Sequence, residues 1–274
     1  MTASGSPGSS LGQGEGATYV FAICRSTRAT SALDFTGMPG MPGGGEVRLL
    51  PCDLLTAVVQ SVPAADFTDD VWQLRLSDRQ DLERYARAHH AVVSAAAAAG
   101  AVVPLPLATL YHDDDRARSC LAEEAGRFHA ALKRVSHHAE WGVKVYGLPA
   151  SASETPVRLA APSRAAPAPG AGAAYLQRKR GAQEQRERHH EQTLHIAESV
   201  DGEFRRVAAA GRRLRTHDAA LSGDPRLHVL NATYLVADER ADEIALLVKT
   251  LEESTGAQIE LSGPWVPYSF VGEV

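Results

Sequence analysis

Cysteine is scarce in this 274-residue sequence: Cys24, Cys52 and Cys120 lie far apart and in no C-x-x-C spacing. That excludes a disulfide framework and a cysteine-based zinc site, and it suits a reducing cytoplasm. Basic excess is missing too. Lys and Arg total 28 against 33 Asp and Glu, a formal net charge of −5 with pI near 6.1, which argues against a general nucleic-acid binder. No run of about 18 uninterrupted apolar residues occurs, so no membrane span is expected. Residues 1–16 are rich in Ser and Gly, without a basic start or an apolar run, and do not read as a signal peptide. Catalytic signatures are absent: there is no G-x-S-x-G, no H-E-x-x-H and no cysteine beside a credible base. The glycine-rich loop 37–45 lacks the G-x-x-x-x-G-K-[ST] pattern and does not lead into a helix, so phosphate binding is not expected there. An enzyme is therefore unsupported, and no catalytic residue and no cofactor site is assigned.

What is present is a core-forming sequence, 44% hydrophobic and long enough for two domains. Residues 1–16 read as a disordered tail. The apolar run Tyr19-Val20-Phe21-Ala22-Ile23-Cys24 reads as a central strand covered on both faces. A flexible loop over 36–45 then leads to a strand at Val47-Arg48-Leu49-Leu50, and 53–61 reads as a third strand, because the sheet needs a partner there, or else as a short helix capped by Asp53. Leu82, Tyr85, Ala86, His89, Val92, Val93 and Ala96 form one face of a helix over 78–99 that Gly100 ends. Prolines extend 102–107 at a sheet edge or in a connection. A helix opened by Asp113-Asp114-Asp115 is expected to run to about His138, followed by a strand at 141–146. Residues 150–173, rich in Pro, Ala, Gly and Ser, read as a flexible linker, and 174–220 as a charged helical insertion broken near Gly202 or Gly211. From Leu230 the pattern is strand, helix, strand: a β-branched run to Val236, an apolar stripe at Ile244, Leu247, Val248 and Leu251, a stop at Gly256, and alternation over 257–261. Without the insertion this order is most of a ferredoxin-like split βαβ. The fold class is α+β in two domains. Residues 17–112 form an N-terminal α+β domain and 113–274 a modified ferredoxin-like domain with a helical insertion.

Three His-His pairs, His89-His90, His137-His138 and His189-His190, invite a metal reading. Neighbours on a helix diverge by about 100°, so an adjacent pair does not chelate from one face. No metal is expected, and the acidic run 113–115 reads as a solvated helix start. The basic segment from Arg178 through Arg212, Arg213 and Arg215 is interleaved with glutamates and lacks stacking aromatics. It reads as an exposed helical arm over 172–220 that touches another protein, with Arg212 and Arg213 as candidate contacts. In the tail, Trp265, Tyr268 and Phe270 crowd together although aromatics make up only 6% of the chain. Pro264 and Pro267 keep this stretch from acting as a central strand. The three rings either cover one end of the ferredoxin-like core or form a docking surface.

Several of these segments, in this order, resemble the gas vesicle protein L/F family (GvpL/GvpF). The resemblance rests on Tyr19-Val20-Phe21-Ala22-Ile23, Arg87-Ala88-His89-His90-Ala91-Val92, Val103-Pro104-Leu105-Pro106-Leu107-Ala108-Thr109 and Glu140-Trp141-Gly142-Val143-Lys144-Val145. It continues through Gly172-Ala173-Ala174-Tyr175-Leu176 and Leu230-Asn231-Ala232-Thr233-Tyr234-Leu235-Val236 to the ending Gly263-Pro264-Trp265-Val266-Pro267-Tyr268-Ser269-Phe270. The family usually has a Pro-Leu-Arg-Phe-Gly-Thr type of sequence after the alanine-rich helix. Here Pro106 stands for the arginine and Ala108 for the glycine, so no role of that arginine carries over. The resemblance implies two α+β domains and a soluble, cytoplasmic protein that associates with the growing gas vesicle, without catalysis or cofactor. The implied partners are the small hydrophobic vesicle structural protein and other accessory proteins, not nucleic acid or membrane. The implied role is an assembly factor. A minor component of the vesicle shell is the alternative, with an unrecognised enzyme as a third reading.

Overall fold

The computed structural model describes residues 16–147, 171–215 and 228–272. The expected disordered tail lies outside these residues except at Gly16. The expected linker lies outside them except at 171–173, as does the end of the expected insertion after 215. Contacts divide the chain into two units, Met1–Ala139 with Trp265–Val274, and Glu140–Pro264.

The first unit is built on β1 (Gly16–Arg25), in which every residue between the two ends is buried. Its continuous apolar run leaves no face for water, so it takes the interior of the sheet β2-β3-β1-β4. β2 (Val47–Cys52) pairs antiparallel with β3 (Leu55–Pro63), which pairs antiparallel with β1. The loop before β2, expected to be flexible, is packed. Buried Gln60 accepts from Met41 N (2.6 Å) and donates to the Gly45 carbonyl (2.6 Å), and Met41 is itself buried. The glycines allow this approach, because a Cβ on Gly40 or Gly44 would come within 2.4 or 2.5 Å of the Gln60 side chain.

On the other side β1 meets two short strands, β4 (Val102–Pro104) at residues 22–24 and β5 (Leu110–Tyr111) at residues 18–19. Between them 105–109 loops away from the sheet, held by Leu105 N to Phe21 O and Val20 N to Thr109 O, each 2.9 Å. Helix α1 (Arg28–Ser31) is one turn, and α2 (Asp69–Ser77) leads into α3 (Arg79–Ala97). Asp78 caps α3 by accepting from Gln80 N and Asp81 N, and Tyr85, His89, Val92, Val93 and Ala96 face inward.

The single helix expected from 113 to 138 is two, α4 (Asp114–Glu123) and α5 (Ala125–Val135). Glu124 has left helical geometry, and the break re-aims the buried face of Phe128, Ala131, Leu132 and Val135. These side chains have no place on the acidic face of α4. Because α5 packs on β4 and β1, and α4 on β2, both helices belong to the first unit. The division of contacts therefore falls at 139/140 instead of 112/113.

The second unit runs β6 (His138–Tyr146), α6 (Ala171–Val207), β7 (Ala210–Arg213), β8 (His228–Ala237), α7 (Ala241–Thr255) and β9 (Gln258–Trp265). The sheet order β7-β8-β6-β9, with β7 and β8 antiparallel, is that of a ferredoxin-like βαββαβ fold. Gly256, at φ 70°, ends α7 in the left-handed conformation that a β-carbon disfavours.

Here the sequence expectation needs correction. The described part of the stretch 174–220, residues 174–215, is neither an insertion nor wholly an exposed arm: α6 is the first crossover helix of this fold, passes through Gly202 unbroken, and is followed by an edge strand. Its first half is exposed at the described side chains, whereas Thr193, Ile196, Ala197, Val200, Asp201 and Phe204 are buried. The core stripe begins only where the Arg/Glu-rich segment ends, so a pattern averaged over the whole stretch hides it.

Candidate docking site

The tail residues expected to cover the ferredoxin-like core belong to the first unit instead. β9 ends at Trp265 as an edge strand, which tolerates Pro264, and Trp265–Val274 is grouped with the N-terminal sheet and helices. Val266 packs against the core that contains Tyr19, Phe21 and Val92. Phe270, 5% exposed, is buried and offers nothing to a partner. Trp265 and Tyr268 remain 49% and 37% exposed, so of the three expected aromatic contacts two are at the surface. Both lie over His90, with ring centroids 5.9 Å away in each case. Tyr268 Oη is 3.4 Å from His90 Nδ1, and Ser94 Oγ is 3.3 Å from its Nε2. Burial raises the Tyr268 phenol well above its usual range, so it stays a neutral hydroxyl.

Beside these rings is an open, mostly apolar hollow, walled by Ala86, His89 and His90 of α3, by loop 105–107 and by Tyr268. His89 forms its floor and is only 4% exposed. Tyr19 Oη lies 2.9 Å from His89 Nδ1 and accepts from Ala108 N at 3.1 Å. The phenol proton is thus free to go to Nδ1, which places the imidazole proton on Nε2. Nε2 has no hydrogen-bond partner among the described residues. Desolvation pushes the imidazole down to about 4; the backbone of Leu105 opposes that shift, and the charge of His90 adds to it. An unpartnered buried donor costs roughly 1–3 kcal/mol. Ala108 adds strain at the same place, with φ 65° at the position where the family usually has glycine. Ala108→Gly is expected to raise stability by about 0.5–1 kcal/mol, read from the urea midpoint, since the relief of strain is partly offset by unfolded-state entropy.

The adjacent pair is thus divided as helix geometry requires, His89 inward and His90 outward. His137, at φ 58°, is in the turn before β6, and His190 is exposed on α6. Among the described residues no group of three or more His, Cys, Asp or Glu is placed to hold a metal ion. The acidic run is occupied by protein partners. Asp113 caps α4 through Arg116 N (2.7 Å), Asp114 accepts from Arg48 (2.7 Å) and Thr18 (2.8 Å), and Asp115 pairs with Arg118 (2.6 Å).

Arg213, expected on the outside of an arm, is exposed and pairs with buried Asp201. Its Nη2 and Nε lie 2.8 and 2.9 Å from Asp201 Oδ2, which also receives Arg205 Nε at 3.1 Å. Tyr234 donates to Asp201 Oδ1 at 2.6 Å. Burial would raise the Asp201 carboxyl, but the hydrogen bonds from Tyr234, Arg205 and Arg213 outweigh it and hold the group below the usual carboxylate range. Arg213 thus takes part in a network that ties β7 to α6, and Arg212, next to it in sequence, is exposed on β7.

A family model described as "Gas vesicle synthesis protein GvpL/GvpF" matches residues 17–272. The chain belongs to the GvpL/GvpF family. It is 39% identical over 254 residues to gas vesicle protein L of Streptomyces sp. strain CB03234, covering 93% of this chain and 92% of that one. Gas vesicle protein F of the same strain is 26% identical over 278 residues, 93% of this chain and 99% of that one. The crystal structure of GvpF from Anabaena sp. PCC7120 shares the fold, with a TM-score of 0.65 at 13% identity over 95% of this chain and 98% of that one. GvpF from Microcystis aeruginosa does so with a TM-score of 0.63 at 14% identity, over 94% and 99%. Membership in GvpL/GvpF gives the chain a gas vesicle role. Among the described residues no helix is long and apolar enough to cross a membrane. The His89–Tyr19–Ala108 arrangement was not readable beforehand; the one signal was the alanine where the family usually has glycine.

Proposed function

We propose that this GvpL/GvpF protein is a cytoplasmic assembly factor that binds the small hydrophobic gas vesicle structural protein and keeps it soluble until it polymerises. The observation that carries this reading is the half-exposed pair Trp265 and Tyr268 beside an apolar hollow. Aromatic side chains that stay wet in a protein with few aromatics are those a partner would desolvate. A small protein with a large apolar face aggregates in water unless such a surface covers it. The higher identity to protein L than to protein F of one strain supports an L-type role.

Trp265→Ala tests it. With half of the ring already in water, the substitution is expected to cost only about 1 kcal/mol of stability. Binding of the purified structural protein, measured by calorimetry, should weaken by about 2 kcal/mol or more. Unchanged binding with an intact fold would remove Trp265 from the interface. Retention of the chain in stringently washed vesicles would make it a shell component instead of an assembly factor.

A further inference from the structure

We infer that docking at Trp265 and Tyr268 is linked to the proton on His90: the surface takes its apolar partner while this imidazole is neutral and loses affinity as the imidazolium forms. This rests on the preceding reading that the two rings dock an apolar protein, and it names how that site is regulated. His90 is partly exposed and lies against both rings, with centroids 5.9 Å away in each case. A partner that covers the rings therefore takes water from the imidazole as well. In the neutral form nothing is left unpaired by that. One nitrogen of a neutral imidazole accepts and the other donates, and each faces a hydroxyl that can take either role: Tyr268 Oη is 3.4 Å from Nδ1 and Ser94 Oγ 3.3 Å from Nε2. The imidazolium differs, because a charge taken out of water needs a counter-charge. Among the described residues that wall the hollow there is no carboxylate. The tail contributes Tyr268, whose phenol stays neutral, and loop 105–107 contributes Leu105, Pro106 and Leu107. On α3, His89 is held neutral down to about 4, and Arg87, one turn before His90, is a further cation already paired with Glu83. Wherever His90 is charged in the free protein, binding must therefore expel its proton.

The test measures binding of the full chain to the purified structural protein by calorimetry from about pH 8 to about pH 5.5, the range in which histidine side chains change charge. In the folded chain His89 stays neutral throughout this range, and near-UV circular dichroism checks the fold at each pH. Affinity should fall about tenfold towards the acid end, and buffers of different ionisation enthalpy should report about one proton released per complex there. His90→Gln keeps an acceptor and a donor for the two hydroxyls but cannot take up a charge. Whatever its affinity, the part of the pH dependence that belongs to His90 should be gone, and its curve corrects for titrations on the partner. Long-range proton–nitrogen spectra of 15N-histidine-labelled protein should show His90 staying neutral to lower pH in the complex than in the free chain. The same pH dependence in wild type and His90→Gln would overturn the inference, as would a bound His90 that takes up its proton where the free one does. An affinity that rises on acidification through His90 would also overturn it, since the partner would then present a carboxylate. The two readings separate. Binding that is flat with pH but weakened by Trp265→Ala sinks the proton link and keeps the proposed function. Binding linked to His90 that Trp265→Ala leaves unchanged keeps the link and moves the interface off Trp265. No binding at any pH overturns both.

Discussion

Asp201→Ala is expected to lower the unfolding free energy by about 3 kcal/mol, the low end of the cost of removing one partner of a buried ion pair. The carboxylate side chain is only 6% exposed, while Arg205 and Arg213 are about half exposed. The guanidinium groups can therefore return to water when the acid is lost. Tyr234 cannot: it is fully buried, stacked on Phe204 with centroids 4.8 Å apart, and its hydroxyl would be left without an acceptor. Asp201→Asn keeps an acceptor for that hydroxyl and should recover part of the loss. Arg213→Ala should cost less than either, because Arg205 and Tyr234 still hold the carboxylate. Urea unfolding at neutral pH measures all three, and wild-type midpoints throughout would show that the network contributes nothing. Its acid dependence follows from the lowered carboxyl pKa. The stabilisation is fully present above the unfolded value of 3.8 and is lost as pH falls through the lower folded value.

His89 titrates in a separate window. Its imidazole is held neutral down to about 4, against 6.5 in the unfolded chain. Between those values the unfolded state binds a proton that the folded state refuses, so stability falls as pH drops from 6.5 to 4 and levels below it. The difference in pKa corresponds to about 3 kcal/mol. The groups facing the ring are neutral or weakly basic: the Tyr19 and Tyr268 phenols, the Leu105 carbonyl and His90. Among the described residues no carboxylate is there to stabilise the imidazolium. His89→Gln preserves an acceptor for the Tyr19 hydroxyl and removes the titration. Its unfolding free energy should lose this component between pH 6.5 and 4 relative to wild type. Parallel curves for the two proteins would show that His89 titrates alike in the folded and unfolded states.

Much of the fold was legible because burial leaves a local imprint where both faces of an element are covered. Residues 19–24 read as a central strand, 78–99 as a capped helix, and 230–261 as strand, helix, strand, and each is present. Misreadings occurred where composition changes within one element. The charged first half of α6 concealed the stripe Ile196, Ala197, Val200 and Phe204, so a crossover helix looked like an arm. Glu124 gave no sign of a break, because glutamate is at home in a helix and only the packing of α5 requires the turn.

The sequence by itself determined the α+β class, the family, the exclusion of the proline-bearing stretches from a sheet's centre, and the crowding of aromatics in the tail. Each follows from residue type and spacing along a few consecutive positions. Only the tertiary structure decided which unit the tail joins, that Phe270 is buried while Trp265 and Tyr268 stay at the surface, and that Arg213 pairs with Asp201. It also decided the state of His89. The groups that set it, Tyr19 and Ala108, lie 70 and 19 positions away in the chain. No local pattern records which distant hydroxyl will meet an imidazole, and that meeting fixes which nitrogen carries the proton.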